Sequence, residues 1–327
     1  MAERLRIGVL GAARITPPAL VRPARKLPDV ELVAVAARDE SRARRFAAKH
    51  GLPRVLPSYE ALLEDPEIDA IYNPLPNGLH CEWTIRALEA GKHVLCEKPI
   101  ASNEEQAQRM AEAAQRTGRI LAEAFHWRYH PLAARMREVI DAGELGRVRR
   151  VAVSTCIPLP IPGDIRYRLD LAGGATMDIG CYAINIARFL AAAEPEVLSA
   201  EARLSSPRVD RWMRAELEFP EGVAGRVTCA LFSAQLLKIQ AVVEGESGRM
   251  QVFNPIAPGF YHRLRISNSR GVRRERVPGG TSYDYQLEAF AKWVRDGVPM
   301  STDADDAIRN MRVIDAIYEK SGLGRRT

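Results

Sequence analysis

The chain has 327 residues, 46% of them apolar and 27% charged, with a formal net charge of +6. That length exceeds what one hydrophobic core ordinarily organises, so two domains are expected. The composition excludes a disordered or low-complexity protein, and no apolar run approaches the roughly 18 residues that span a bilayer.

The basic excess is dispersed among acids. Only short clusters such as "GVRRERV" at 271–277 stand out, and their alternation reads as an exposed strand. Nucleic-acid binding is therefore not expected, while an anionic cofactor would suit the basic surface. Cys81, Cys96, Cys156, Cys181 and Cys229 are odd in number and never spaced CxxC, which argues against a disulfide framework or a zinc site. The opening "MAERLRIGVLGAA" enters a strand pattern at once, without the apolar segment of a signal peptide, so the expectation is a cytoplasmic protein with no membrane contact.

Along the first third, "LRIGVL", "ELVAVAA", "RVL", "IDAIYNPL", "KHVLCEKP" and "RILAEAF" read as strands. Helical stretches such as "SRARRFAAKHG", "SYEALLED", "LHCEWTIRALEAG" and "NEEQAQRMAEAAQRTG" separate them. Strand and helix in strict turn predict a doubly wound parallel sheet, an α/β Rossmann domain over 1–125. After it come a helix from Pro131, the strand "RVRRVAVSTCIPL", a Pro-rich loop "IPLPIPGDIRYRLDLAGG" and a helical segment from about Ala175 to Ala192. From "EVLSAEARL" to "GVRRERV" the runs are nearly all β-like, and "FPEGV" supplies a hairpin turn. Residues 126–327 thus read as an α+β domain with a large, mainly antiparallel sheet. Two closing helices, near 282–296 and 303–320, are free to pack on either domain.

"IGVLGAARI" at 7–15 is a strand entering a glycine turn, the backbone a pyrophosphate needs if it is to approach the amides at a helix start. Gly11, Ala12, Ala13, Arg14 and Ile15 are the candidate residues. Ala13 and Thr16 stand where the G-x-G-x-x-G pattern has its later glycines, so the turn also fits a strand-to-helix connection with no ligand. Thr16 followed by Pro17 reads as a cap and first-turn pair. The second strand ends "VAARDESR". A basic residue at that tip accommodates a 2′-phosphate where an acid would hold the ribose hydroxyls, so Arg38, with Arg42 as a second cation, favours NADP, NAD being the alternative. Against this, Asp39 also suits a helix cap and Arg38 a solvated surface.

"LCEKPI" closes the fifth strand with a carboxylate, an ammonium and a proline. A strand's carboxyl end is where α/β sheets bind ligands, and lysine is the cation whose pKa moves readily on desolvation. Lys98 is the candidate for chemistry there. Asp178 and Tyr182 in "MDIGCY" are four apart in a helical pattern and so share a face; Gly173 and Gly174 before them would let the backbone pass close to a ligand. His126 and His130 have a metal-compatible spacing, but Pro131 and the lack of a converging acid or cysteine argue against a metal.

"IGVLGAARI", "AVAARD", "YNPLPNGLH", "GKHVLCEKP", "AEAFHWRYHP" and "GGATMDIGCYAI", in that order, resemble the Gfo/Idh/MocA oxidoreductases across nearly the whole chain. Within that family the pattern is most similar to dihydrodiol dehydrogenases and sugar 3-ketoreductases. The resemblance implies a hydride transfer between NADP(H) and a carbonyl or secondary alcohol of a sugar or cyclic polyol, with a small-molecule substrate and a homodimer or homotetramer. It implies that Lys98 reaches the substrate and that Tyr182, where the family usually carries His, donates the proton, with Asp178 orienting a hydroxyl. Pro74, Leu75, Pro76, Asn77, His80, Glu97, Trp127 and Arg128 match segments beside the cofactor. Asp164, Arg166 and Tyr167 in the Pro-rich loop are candidate ligands for sugar hydroxyls. The rival expectations are a trans-dihydrodiol dehydrogenase, a non-catalytic dinucleotide sensor and an NAD-dependent glycosidase.

Overall fold

Short apolar runs separated by amphipathic stretches form a parallel sheet because each strand must be covered on both faces by the helices that connect it. The computed structural model of the protein describes residues 4–161, 163–235 and 237–327. These divide into one unit made of 4–101, Glu105–His126 and Tyr283–Ile308, and a second made of Ser102–Glu104, Trp127–Ser282 and Arg309–Thr327.

In the first unit, β1 (Leu5–Leu10), β2 (Val30–Ala36), β3 (Arg54–Val55), β4 (Ala70–Asn73), β5 (His93–Cys96) and β6 (Leu121–Glu123) lie in the order β3-β2-β1-β4-β5-β6. All pairings are parallel, and the strand order reverses between β1 and β4, where the carboxyl ends open a crevice. Ile71, Tyr72, Val94, Leu95 and Cys96 are all buried, as central strands covered on both faces require.

A wide helical turn at Pro17–Val21 leads into α1 (Arg22–Ala24). Thr16 holds the N-cap position before Pro17, as the sequence leads one to expect, but its backbone is already helical (φ −54°, ψ −42°) and its side chain makes no capping bond. The connections continue with α2 (Glu40–His50), α3 (Tyr59–Glu64), α4 (Asn77–Glu89) and α5 (Glu104–Thr117). Asp39 caps α2 by accepting from Arg42 N, Gly51 ends it in the left-handed region (φ 77°), and Ser58 caps α3.

In the second unit, α6 (Pro131–Asp141) is capped by His130, whose Nδ1 accepts from Leu132 N. β7 (Val148–Cys156), the helix running from Thr176–Gly180 into α7 (Cys181–Ala191), and the strands β8 (Glu196–Ser206), β9 (Val209–Phe219), β10 (Val223–Ala230), β11 (Lys238–Gly245), β12 (Gly248–Phe253), β13 (Arg263–Asn268) and β14 (Gly271–Glu275) follow. Their order is β14-β13-β12-β11-β7-β10-β9-β8, antiparallel except where β7 meets β10. The β9–β10 hairpin turns at Pro220–Gly222, as "FPEGV" leads one to expect. β14 is an exposed edge strand whose Glu275 accepts a two-pronged bond from Arg135 of α6 (2.8 and 3.0 Å).

The closing helices separate. α8 (Ser282–Asp296) belongs from Tyr283 onward to the first unit, where Asp284 takes Lys26 Nζ at 2.7 Å and Arg295 pairs with Asp29. The loop after it seals β6: Glu123 N donates to Thr302 O (2.9 Å) and Thr302 Oγ1 to Glu123 O (2.7 Å). α9 (Ala304–Lys320) begins in the first unit and from Arg309 belongs to the second. Among the described residues, no helix is long and apolar enough to cross a membrane, and all five cysteines are buried free thiols.

Lys92 precedes β5 at the end of the sheet away from the crevice. It is 8% exposed, and its ammonium donates to Asp65 O (2.7 Å) and Ile68 O (2.8 Å). Replacing it with Met strands the buried Ile68 carbonyl and leaves Asp65 O only the N–H of Ile68, so Lys92→Met is expected to lower unfolding free energy by about 1–3 kcal/mol. Urea denaturation measures that loss, and dinucleotide affinity should stay unchanged.

Candidate active site

Gly11 follows β1 with φ +78°, and a Cβ there would lie 3.1 Å from the Leu75 side chain, so the turn needs glycine both for conformation and for space. Ala12, Ala13 and Ile15 are part-exposed and Arg14 is exposed. The Thr16 hydroxyl ends this turn fully buried and, among the described residues, without a hydrogen-bond partner. Arg42 lays its Nη2 on Ala12 O at 3.0 Å, which brings a guanidinium to the turn. Asp39, the acid at the end of the second strand, is committed to its own helix: its Oδ1 accepts from Ser41 Oγ (2.6 Å) and Arg42 N (3.2 Å), and these bonds hold its carboxyl below the usual range. Arg38 beside it is exposed. A glycine turn, an unsatisfied hydroxyl and two arginines fit a phosphorylated dinucleotide.

At the end of β5 the side chains separate by role. Glu97 is only 7% exposed and turned inward, where its Oε1 accepts from Tyr72 Oη at 2.6 Å. Lys98, joined to Pro99 by a cis peptide, is part-exposed. His80, in the segment that the resemblance sets beside the cofactor, is fully buried, with Nδ1 2.8 Å from Pro99 O and Nε2 2.6 Å from Leu75 O, bracing two loops at the carboxyl end of the sheet. Burial pushes its pKa down to about 4, against the two carbonyls, which favour the charged ring. Neutral, the ring donates to one of them. Pro74 and Leu75 are likewise buried, while Pro76 and Asn77 are part-exposed at the start of α4, which begins at Asn77. His126 is stacked on Tyr283, ring centroids 4.0 Å apart; burial first, and then the charge of Lys98, lowers its pKa to about 3. Tyr283, brought in by α8, was not legible as part of this cluster. Burial and then the Glu97 charge raise its pKa well above a phenol's usual value.

In the second unit, Trp127 is fully buried and donates from Nε1 to Asn185 Oδ1 at 3.2 Å, so it supports α7. Arg128 is part-exposed, its guanidinium 4.7 Å from the Phe189 ring centroid. Asp164, Arg166 and Asp178 do come together: Arg166 Nε donates to Asp178 Oδ2 (2.9 Å) and Nη1 to Asp164 Oδ1 (3.1 Å). Burial works to lower the Arg166 pKa, but the two carboxylates outweigh it and raise it. Tyr167 instead pins its own loop, Oη donating to Leu159 O at 2.7 Å. Asp178 lies in a π-type turn, Thr176–Gly180, and Tyr182 in the first turn of α7, 6% exposed. Such wide turns recur at functional sites.

The two glycines before this helix are required by the protein's own packing. A Cβ on Gly173 would stand 2.6 Å from Arg166 O, and one on Gly174 would stand 2.2 Å from Asp210 Oδ1. Among the described residues, no group of three or more His, Cys, Asp or Glu is placed to hold a metal ion. His130, one of the two histidines at metal-compatible spacing, caps α6.

Comparison with known proteins places the chain. The family described as "Oxidoreductase family, NAD-binding Rossmann fold" (GFO/IDH/MocA) matches residues 5–125, and the GFO/IDH/MocA C-terminal domain matches 133–251. The chain is 36% identical over 320 residues to D-xylose 1-dehydrogenase (NADP(+)) 2 of Haloferax volcanii, covering 97% of each chain. It is 40% identical over 332 residues to dTDP-3,4-didehydro-2,6-dideoxy-alpha-D-glucose 3-reductase of Saccharopolyspora spinosa, covering 100% of this chain and 99% of that one. A 3-ketoreductase from Actinomadura kijaniata, solved in complex with NADP and TDP-benzene, superposes with a TM-score of 0.91 at 32% identity, covering 97% of this chain and 98% of that one. That enzyme has also been solved in two single variants, one with a tyrosine changed to phenylalanine and one with a lysine changed to alanine, at positions as far apart in its chain as Tyr182 and Lys98 are here.

His80, His126 and His130 carry a pH prediction. Burial holds their pKa values at about 4, about 3 and about 4, below the ordinary 6.5. The unfolded chain therefore binds more protons below pH 6.5, and the stability these rings contribute is complete above that pH and lost as it falls towards 4. His126→Phe, which keeps a ring against Tyr283, should flatten the acid limb by close to one proton, about 1.4 kcal/mol per pH unit. Unfolding free energies measured from pH 7 to pH 4.5 test this.

Proposed function

From its membership of the Gfo/Idh/MocA oxidoreductases, as a sugar or polyol oxidoreductase, we propose that this chain is an NADP-dependent sugar reductase or dehydrogenase with Lys98 and Tyr182 as its acid–base pair. The observation that carries the proposal is the condition of Lys98. Lys98 is part-exposed directly after a central strand, at the carboxyl end of the sheet, among Glu97 bonded to Tyr72, His80 held between two carbonyls and His126 stacked on Tyr283. Side chains that merely finish a core do not require such an arrangement.

The choice of NADP rests on the end of β2. The acid that would take ribose hydroxyls caps α2, and Arg38 and Arg42 are left to meet a 2′-phosphate. The D-xylose and ketosugar relatives, one named for NADP and one solved with it as a structural neighbour, support the same choice. Gly11 to Ile15 would hold the pyrophosphate, and Pro76 and Asn77 would flank the nicotinamide.

Bound NADPH supplies the hydride. In the reducing direction Tyr182 Oη gives its proton to the carbonyl oxygen as the alkoxide forms, and Lys98 Nζ stabilises the developing negative charge. Asp178 accepts from a neighbouring substrate hydroxyl, oriented by the Arg166 bond at 2.9 Å. The lysine and tyrosine altered in the ketoreductase, spaced as these two are, support the pairing.

Lys98→Met and Tyr182→Phe are each expected to lower turnover by roughly 100-fold or more, with NADPH affinity held within about twofold. Arg38→Ala should weaken NADPH relative to NADH by about 10–100-fold, the worth of one charge-assisted contact. Stopped-flow and fluorescence titration over a panel of aldoses, keto-sugar nucleotides and trans-dihydrodiols decide it. Wild-type turnover in Lys98→Met ends the proposed mechanism. Turnover confined to the diols moves the substrate to that class.

A further inference from the structure

Asp210 lies on β9 with no exposed surface, and both of its oxygens are filled. Oδ2 accepts from Thr176 N and Thr176 Oγ1, both at 2.7 Å. Oδ1 accepts from Tyr318 Oη at 2.9 Å and Arg326 Nη2 at 3.1 Å. Arg326 is also wholly buried, its guanidinium 3.8 Å from the Tyr318 ring centroid, and its Nε and Nη1 have no partner among the described residues. Each charge thus depends on the other, since a lone buried ion is far costlier than a paired one.

Thr176 is the first residue of the helix that carries Asp178 and Tyr182. The helix start therefore receives its cap from another strand: a carboxylate takes an unsatisfied N–H and places negative charge where the helix dipole favours it. Gly174, at φ +133°, has no room for a Cβ against Asp210 and Tyr318, so the carboxylate sits directly on the turn that starts the helix. Further along, α9 touches the same helix again: Asn310 Nδ2 donates to Cys181 O at 3.5 Å, and Arg188 Nη1 donates to Asn310 Oδ1 at 3.3 Å.

We propose that Asp210, Tyr318 and Arg326 form a buried positioning device that sets where this helix begins, and thereby where Asp178 and Tyr182 meet the substrate. The inference rests on the assignment of Tyr182 as proton donor. These are positioning residues: they act on the reaction only through the helix. Arg326 does so by neutralising the carboxylate that caps it, so its removal displaces the helix start while the dinucleotide-binding unit is untouched.

The test uses the full chain with NADPH and the best substrate of the panel above. Arg326→Met is expected to lower kcat at least about tenfold, as displacements of an ångström or less can, with NADPH affinity unchanged. The double variant Asp210→Asn with Arg326→Met removes both charges together and keeps an acceptor for Thr176, so it should regain most of the lost kcat. Arg326→Lys, which retains the cation, should stay within about threefold of the parent and serves if the methionine variant does not fold. A purely structural role gives lower thermal stability with kcat per NADPH-binding site unchanged, and that result overturns the proposal. So does a double variant as slow as the single one. Tyr182→Phe runs in parallel: if it turns over like the parent, the assignment of Tyr182 has failed, whereas a slow Tyr182→Phe beside a parent-like Arg326→Met sinks the positioning proposal alone.

Discussion

An ammonium at the mouth of an apolar strand is the constraint on which the first unit is arranged. β5 is buried from Val94 to Cys96, and it ends by carrying Glu97 and Lys98 out of the sheet. Tyr72, one strand over on β4, donates to Glu97 Oε1 at 2.6 Å, so the carboxylate is held on the phenol of its neighbouring strand. The parallel register that pairs Tyr72 with Leu95 sets the phenol at the right height for the carboxylate two residues on. Sheet register and site chemistry are the same fact seen at two scales.

Much of this was legible from order and period alone. Strict alternation of strand and helix predicts the doubly wound sheet because a parallel strand must be covered on both faces. The change to unbroken β-like runs after Glu196 predicts the second sheet. A charged residue that acts through local geometry was legible too: Asp39 was weighed as a cap and is one.

What escaped the sequence has a common physical origin. His80 and Trp127 sit in motifs that match cofactor-side segments, yet both are sealed inside and act on backbone or on α7. Motif position gives a residue's neighbourhood, and the rotamer decides whether it faces a ligand or supports the loop that does. Gly173 and Gly174 show the same distinction. Small residues before a helix imply that something approaches closely, and Arg166 O and Asp210 Oδ1 do so. The pattern reports the approach and is silent on its author.

Long-range partners are the other class. Tyr283 reaches His126 across more than 150 residues of chain, and Arg326 reaches Asp210 across 116. No period or spacing connects them. A lone acid within the strand "RVDRWM" or a lone arginine near the end of "GLGRRT" reads as solvated, because an isolated sequence carries no information about which distant charge will compensate it. Yet a fully buried carboxylate can cap the helix bearing Asp178 and Tyr182 only when its countercharge arrives from elsewhere in the chain. Distant segments are therefore drawn into setting the local geometry of a helix start, and the residues that fix a site's position need not lie in the motifs that mark it.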